Sequence, residues 1–141
     1  MGKIRVFVDA STLISGLLFE GNESTLLELG SFGAVELVAT HYVLREVRQV
    51  LGREEFSLSQ EEIRDLVHYV HQVVVITDDP TEQAIRECAR KLADKKDAPV
   101  WAGFLSSEAD RLVTGDRELL RVVEGAISTS GLLRMLLRTS G

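Results

Sequence analysis

The chain has 141 residues, 45% hydrophobic and 27% charged, the profile of one ordinary globular domain. That excludes a disordered or collagen-like chain and a multidomain machine, and a length of this order buries roughly two-thirds of the unfolded surface without a disulfide or zinc staple. Sixteen Lys and Arg against twenty-two Asp and Glu leave a net charge of −6, which excludes a protein that grips nucleic acid by bulk positive charge.

In chain order, the β-branched run Ile4 to Val8 predicts a buried strand that stops at Asp9, and Ser11-Thr12 opens a helix carrying Leu13, Ile14, Leu17 and Leu18. A strand passing at once into a helix predicts a parallel α/β sheet. Gly21-Asn22 is a break, Leu26, Leu27 and Leu29 mark a second helix ending near Gly33, and residues 35–40 read as the second strand. Helical spacing predicts a helix over 42–52 with Gly52 at its end, and Ser59-x-x-Glu62 is a capping box for a helix carrying Ile63, Leu66, Val67 and Val70. A short strand follows over 73–76, and the turn Asp78-Asp79-Pro80-Thr81 leads into a helix to about Leu92. Residues 94–97 form a polar joint with Pro99 in the next first turn, and that helix runs to about Ser107. A strand over 111–114, a helix over 118–123, a brief strand over 126–128 and a helix over 130–138 complete the series. The expected fold is a three-layer α/β/α sandwich around a mainly parallel sheet of four to five strands, one domain over 1–141. No stretch approaches the roughly 18 to 20 apolar residues of a membrane span, and the lone cysteine, Cys88, suits a reducing compartment, so a cytoplasmic protein without a membrane partner is expected.

Four acids stand out by position. Asp9 and Asp116 each follow an apolar strand, Asp97 precedes a helix, and Glu46 sits in the helix after the second strand. Ligands of open parallel sheets bind beyond the carboxyl ends of the strands, which is where these acids would meet. Carboxylates gathered in one cleft repel, and a divalent cation resolves the conflict while supplying the positive charge the composition lacks. An all-oxygen donor set selects Mg²⁺ or Mn²⁺, and such ions support phosphodiester hydrolysis. Each acid also has a structural reading: Asp9 as a helix cap, Glu46 as a solvated surface residue, Asp97 or Asp94 as the cap before Pro99, and Asp116 as a turn residue. Asp110 reads as a structural joint, His41, His68 and His71 show no usable metal spacing, and Trp101 and Phe104 read as core.

Four segments, Val6 to Ser15, Val43 to Val47, Asp97 to Ala102 and Ala109 to Leu120, resemble in order and spacing the motif segments of PIN-domain proteins, most of all the toxin components of prokaryotic toxin-antitoxin pairs. The resemblance implies a Mg²⁺- or Mn²⁺-dependent endoribonuclease, with Asp9, Glu46, Asp97 and Asp116 as its catalytic and metal-holding acids. Ser11 and Thr114 match supporting hydroxyl residues, and Glu118 is the nearest match to a further acid after the last aspartate. Lys95, Lys96 and Arg117 are candidate contacts for RNA phosphates, with solvated surface charge as the other reading. The resemblance further implies a protein antitoxin and a homodimer, for which Leu26, Leu27 and Leu29 offer either an interface or ordinary core. The alternative function is a catalytically inactive PIN-like binding module in an RNA-processing or regulatory assembly. A signalling receiver domain would need a phosphorylated aspartate after the third strand with a lysine partner, and neither is visible.

Overall fold

The computed structural model describes residues 2–140. Among these, five strands, β1 (Arg5–Val8), β2 (Glu36–Thr40), β3 (Val74–Thr77), β4 (Arg111–Val113) and β5 (Ala126–Ile127), form one sheet in the order β3-β2-β1-β4-β5. Every pairing is parallel, so the sheet is wholly and not mainly parallel. Helices α1 (Ala10–Leu18), α2 (Asn22–Ser31), α3 (His41–Leu51), α4 (Gln60–Val73), α5 (Glu82–Ala89), α6 (Ala98–Ser106), α7 (Arg117–Val122) and α8 (Thr129–Ser140) cover both faces, giving the expected three layers. The apolar runs explain this arrangement. Val6, Phe7 and Val8, with Leu37, Val38, Leu112 and Val113 on the adjoining strands, have no exposed surface, which requires cover on both sides.

Chain direction across the sheet reverses at β1. The path moves outward through β2 and β3, then returns to β4 on the other flank of β1. Parallel sheets open a crevice where such a reversal occurs, here at the carboxyl ends of β1 and β4. Close packing keeps the crevice floor rigid: a Cβ on Gly103 of α6 would lie 2.9 Å from Thr40 Cγ2 and 3.2 Å from a Phe7 ring carbon, so this helix approaches the sheet at glycine distance. The Phe7 and Phe104 rings meet edge to face with centroids 6.4 Å apart.

Local signals fix most boundaries. Ser59 and Glu62 form the reciprocal capping box ahead of α4, and Thr40 caps α3 directly from the end of β2, one residue earlier than the helical spacing suggests. Two expectations change. Helix α5 ends at Ala89 instead of Leu92, because the next turn tightens and the Lys95 ammonium donates to the Ala89 carbonyl at 2.9 Å. Residues Glu54–Phe56 form a single 3-10 turn without a periodic signal. Leu26 and Leu27 are buried in the core, which settles their reading as core, and Leu29, partly buried, packs against it.

Candidate active site

Register alone places the first two elements of the site. Val8 pairs with Val113, so the residues that leave the strands, Asp9 and Thr114, stand side by side. The Thr114 hydroxyl donates to Asp9 Oδ2 at 2.6 Å and accepts from the Asp116 backbone N–H at 3.1 Å. The other Asp9 oxygen accepts from the Thr12 N–H at 2.9 Å and so caps α1. Asp116 Oδ1 accepts from the Leu119 N–H at 2.9 Å and caps α7. The capping reading of Asp9 is therefore correct, while Asp116, read as a turn residue, is instead a helix cap; capping coexists with a place in the cleft, since a carboxylate accepts through more than one lone pair. Thr114 is buried and joins the two acids into one rigid unit.

Asp97 approaches the same point from the far side. Its neighbour Asp94 caps the short turn Lys95–Asp97 through the Lys96 N–H, which leaves Asp97 without a capping bond. Asp97 Oδ2 is buried and has no hydrogen-bond partner. Burial, followed by the facing charges of Asp116 and Asp94, pushes the Asp97 carboxyl up to about 6. Glu118 does not point at this centre: its two oxygens accept from the backbone N–H groups of Ala93, at 2.7 Å, and Asp94, at 3.1 Å. Those bonds, the Ala93 bond foremost, hold the Glu118 carboxyl below its usual range. Glu118 thus ties the loop that carries Asp97 to the helix capped by Asp116.

Glu46 lies on the second turn of α3, partly buried and without a hydrogen-bond partner. Burial and then the charge of Asp9 push its carboxyl up. Tyr42 stands one turn earlier on the same helical face, and burial together with the charges of Glu46 and Asp97 pushes its phenol up. Tyr42 therefore feels both acids that Thr114 does not join. Its position was readable only as the residue four before Glu46, a weak signal without the fold. Asp79, from the loop after β3, accepts from the Tyr42 N–H at 2.8 Å and from Arg45 at 3.1 Å, which holds the start of α3 in place. No feature of the sequence marked that reach of 37 residues.

The four acids thus form a chain of neighbours: Glu46 beside Asp9, Asp9 bonded through the Thr114 hydroxyl to the Asp116 backbone, and Asp116 facing Asp97. All four are partly buried, and among the described residues none is paired with Lys, Arg or His. No group of three His, Cys, Asp or Glu among the described residues stands in ready ligating geometry. An orphaned buried oxygen, an uncompensated carboxylate cluster and an all-oxygen donor set fit a hard divalent cation, and Mg²⁺ needs only one or two carboxylates because it retains several waters.

The remaining expectations divide. Ser11 is exposed on the first turn of α1 and lines a cleft of about 290 Å³ beside Thr114 and Gly115. Lys96 and Arg117 are exposed and their side chains have no partner, whereas Lys95 is held on the Ala89 carbonyl. Asp110 closes the β1 to β4 joint by accepting from the Arg5 N–H at 2.7 Å. Trp101 and Phe104 are buried core, and His68 meets only Gln72.

Comparison with known proteins follows this geometry. The PIN-domain family model matches residues 5–118, the span that holds all four acids. The fold is similar to that of PAE2754 from Pyrobaculum aerophilum, at 24% identity and a TM-score of 0.72, covering 96% of this chain and 90% of that one. It is also similar to VapBC2 from Rickettsia felis, solved bound to a DNA fragment from its promoter, at 12% identity and a TM-score of 0.70, covering 89% of this chain and 98% of that one. No curated protein sequence matches the chain at a significant level. A family model spanning most of the chain, on a sheet whose crevice gathers the four acids, leaves one assignment: the chain belongs to the PIN-domain family, whose members are generally nucleases.

Proposed function

We propose that this protein is a Mg²⁺- or Mn²⁺-dependent endoribonuclease that hydrolyses RNA phosphodiester bonds, acting as the toxin of a toxin-antitoxin pair. The observation that carries the reading is the Asp97 carboxylate, buried with one oxygen unpartnered and facing Asp116 at the crevice of the sheet. Such an arrangement costs free energy in the metal-free chain and is relieved when a cation is bound. Asp9, Asp97 and Asp116 would hold the ion, with Glu46 completing the site directly or through water. A bound divalent ion supplies an activated water and offsets charge on the phosphate.

The chain's own residues do the rest. The Thr114 hydroxyl links the Asp9 carboxylate to the Asp116 backbone, and each carboxylate keeps lone pairs beyond those used for its helix cap. Glu46, whose carboxyl is pushed up by burial and the charge of Asp9, would take a proton from water and return it to the leaving oxygen if it does not itself hold the ion. Lys96 and Arg117, exposed and next in sequence to Asp97 and Asp116, would meet the phosphates of a strand. The likeness of four segments to toxin components and of the fold to VapBC2 supports the toxin assignment and an antitoxin that covers the acids.

The test is cleavage of mixed RNA by the purified protein in Mg²⁺, in Mn²⁺ and in chelator, beside Asp9→Asn and Asp116→Asn. Cleavage in either metal, abolished by chelator and reduced at least 100-fold in both variants, is the expected result. Cleavage that persists unchanged in the variants sinks the assigned site. The second reading, a binding module without catalysis, draws on the lack of a ready-made group of three ligands. Absence of both cleavage and metal binding would establish it in place of the nuclease.

A further inference from the structure

A cationic groove lies on the other flank of α3 from the acids, and the hydrolytic reading does not use it. Between α3 and α4 a groove of about 500 Å³ is lined by Arg48, Gln60, Arg64, His68 and His71, with Ile63 and Val67 as its aliphatic part. No Asp or Glu is among the lining residues, although α4 carries Glu61, Glu62 and Asp65. In a chain with twenty-two acids against sixteen bases, that is a local reversal of charge. Among the described residues neither Arg48 nor Arg64 has a carboxylate partner, whereas Arg5, Arg45, Arg86 and Arg121 each have one. His71 also lines the adjoining cleft, where Lys3 stands and where the one lining acid, Glu36, is taken by Arg5 at 3.2 Å. The positive surface therefore continues beyond the groove.

The chemistry of the lining selects the occupant. Five of the eight lining residues carry side-chain N–H donors, and the two guanidinium groups present planar forks matched to phosphate or carboxylate oxygens. A helix of a protein partner would need apolar anchors, yet Ile63 and Val67 are the only aliphatic side chains offered, with no Leu, Met, Phe, Tyr or Trp beside them. A ligand rich in charged acceptors and sparing in apolar contact fits better, and the phosphate backbone of a single strand has that character. Position ties the groove to the acids. Glu46 and Arg48 are two residues apart, which at about 3.6 residues per turn puts them on opposite flanks of α3. A strand bound at the acids reaches the groove by crossing one helix, roughly 10 to 12 Å wide. An acidic protein that acts on RNA needs such a grip, because its net charge of −6 otherwise repels the strand. We propose that the groove between α3 and α4 is an RNA-backbone exosite in which Arg48 and Arg64 hold phosphates of a strand whose reacting phosphate lies at the acids. The proposal rests on the reading of the chain as a protein that acts on RNA, and it deepens that reading by naming where the rest of the strand is held.

The experiment measures binding of a labelled oligouridylate, long enough to cross α3, by fluorescence anisotropy over a series of salt concentrations in chelator, where nothing is cut. Arg48→Gln, Arg64→Gln and the double variant are compared with Arg86→Gln, whose arginine pairs with Glu82 and lies outside the groove. All three arginines are exposed, so the variants are expected to fold. Each lost phosphate contact should flatten the plot of log affinity against log salt by about 0.7, with twice that effect in the double variant. Arg86→Gln should leave the slope unchanged. A slope unmoved in the double variant, or no binding by the unaltered protein at low salt, overturns the exosite. A helical peptide of Glu and Leu that binds through Arg48 and Arg64 while the RNA slope stays fixed also overturns it, in favour of a protein occupant. RNA held through the groove but never cut in Mg²⁺ or Mn²⁺ keeps the exosite and overturns the nuclease reading, and RNA cut at the acids with an unmoved slope does the reverse.

Discussion

At the scale of single residues, the notable contrast is between acids that are bonded and acids that are not. Asp97 is the clearest case. Its folded-state carboxyl, at about 6, lies above the ordinary value of 3.8, so the native state takes up the proton more readily than the unfolded chain. The stabilisation from protonating it is present below pH 3.8 and is lost as pH rises through about 6. Metal-free protein is therefore expected to gain stability from Asp97→Asn at pH 7, by about 1 kcal/mol once solvent screening is allowed for, and to gain almost nothing at pH 4. Thermal melts in chelator at the two pH values check this. Glu118 makes the opposite prediction. Glu118→Gln keeps the size but loses one acceptor for the Ala93 and Asp94 amides, loosening the loop behind Asp97. Mn²⁺ affinity, read by calorimetry, should fall about tenfold, as it does when groups supporting a ligand are removed. An unchanged affinity would leave Glu118 a purely structural tie.

At the scale of elements, the caps decide what was legible. The β1 strand ends at Asp9 because Asp9 begins α1, and the box of Ser59 and Glu62 begins α4; both are local patterns and both were readable. Ser59→Ala should cost about 1 kcal/mol by denaturant melt. The same box makes part of the stability acid-sensitive, since the bonds to Ser59 hold the Glu62 carboxyl below its usual range and that contribution is lost as pH falls through it. Long-range ties were not readable. Asp79 bonds to Tyr42 across 37 residues and Glu118 to Ala93 across 25, and neither leaves a periodic trace. Glu118, the nearest sequence match to a further acid, was ambiguous for that reason: its spacing after Asp116 suits a ligand and a clamp equally, and the fold shows the clamp.

For the whole molecule, the net charge of −6 takes on a local meaning. Four of the acids responsible are gathered in one crevice without a paired base, so folding concentrates repulsion where the sheet reverses. Saturating Mn²⁺ should raise the melting midpoint by several degrees, since a ligand at about 100 times its dissociation constant adds roughly 2.7 kcal/mol. Asp97→Asn should abolish most of that rise, and a rise of equal size in the variant would place the ion elsewhere. Rigidity of the crevice depends on the approach of α6, so Gly103→Ala should destabilise by about 1 to 3 kcal/mol as Thr40 and Phe7 are pushed aside.

The double duty of Asp9 and Asp116 bears on how such a chain changes over generations. Each secures the start of a helix as well as facing the cleft, so replacing either weakens the fold even in a protein that cuts nothing. Their retention in a relative would say little about activity. Glu46 and Asp97 secure nothing and carry a standing electrostatic burden. Drift freed from chemistry would erase those two first, which makes them the positions at which a living enzyme and a retired one should be told apart.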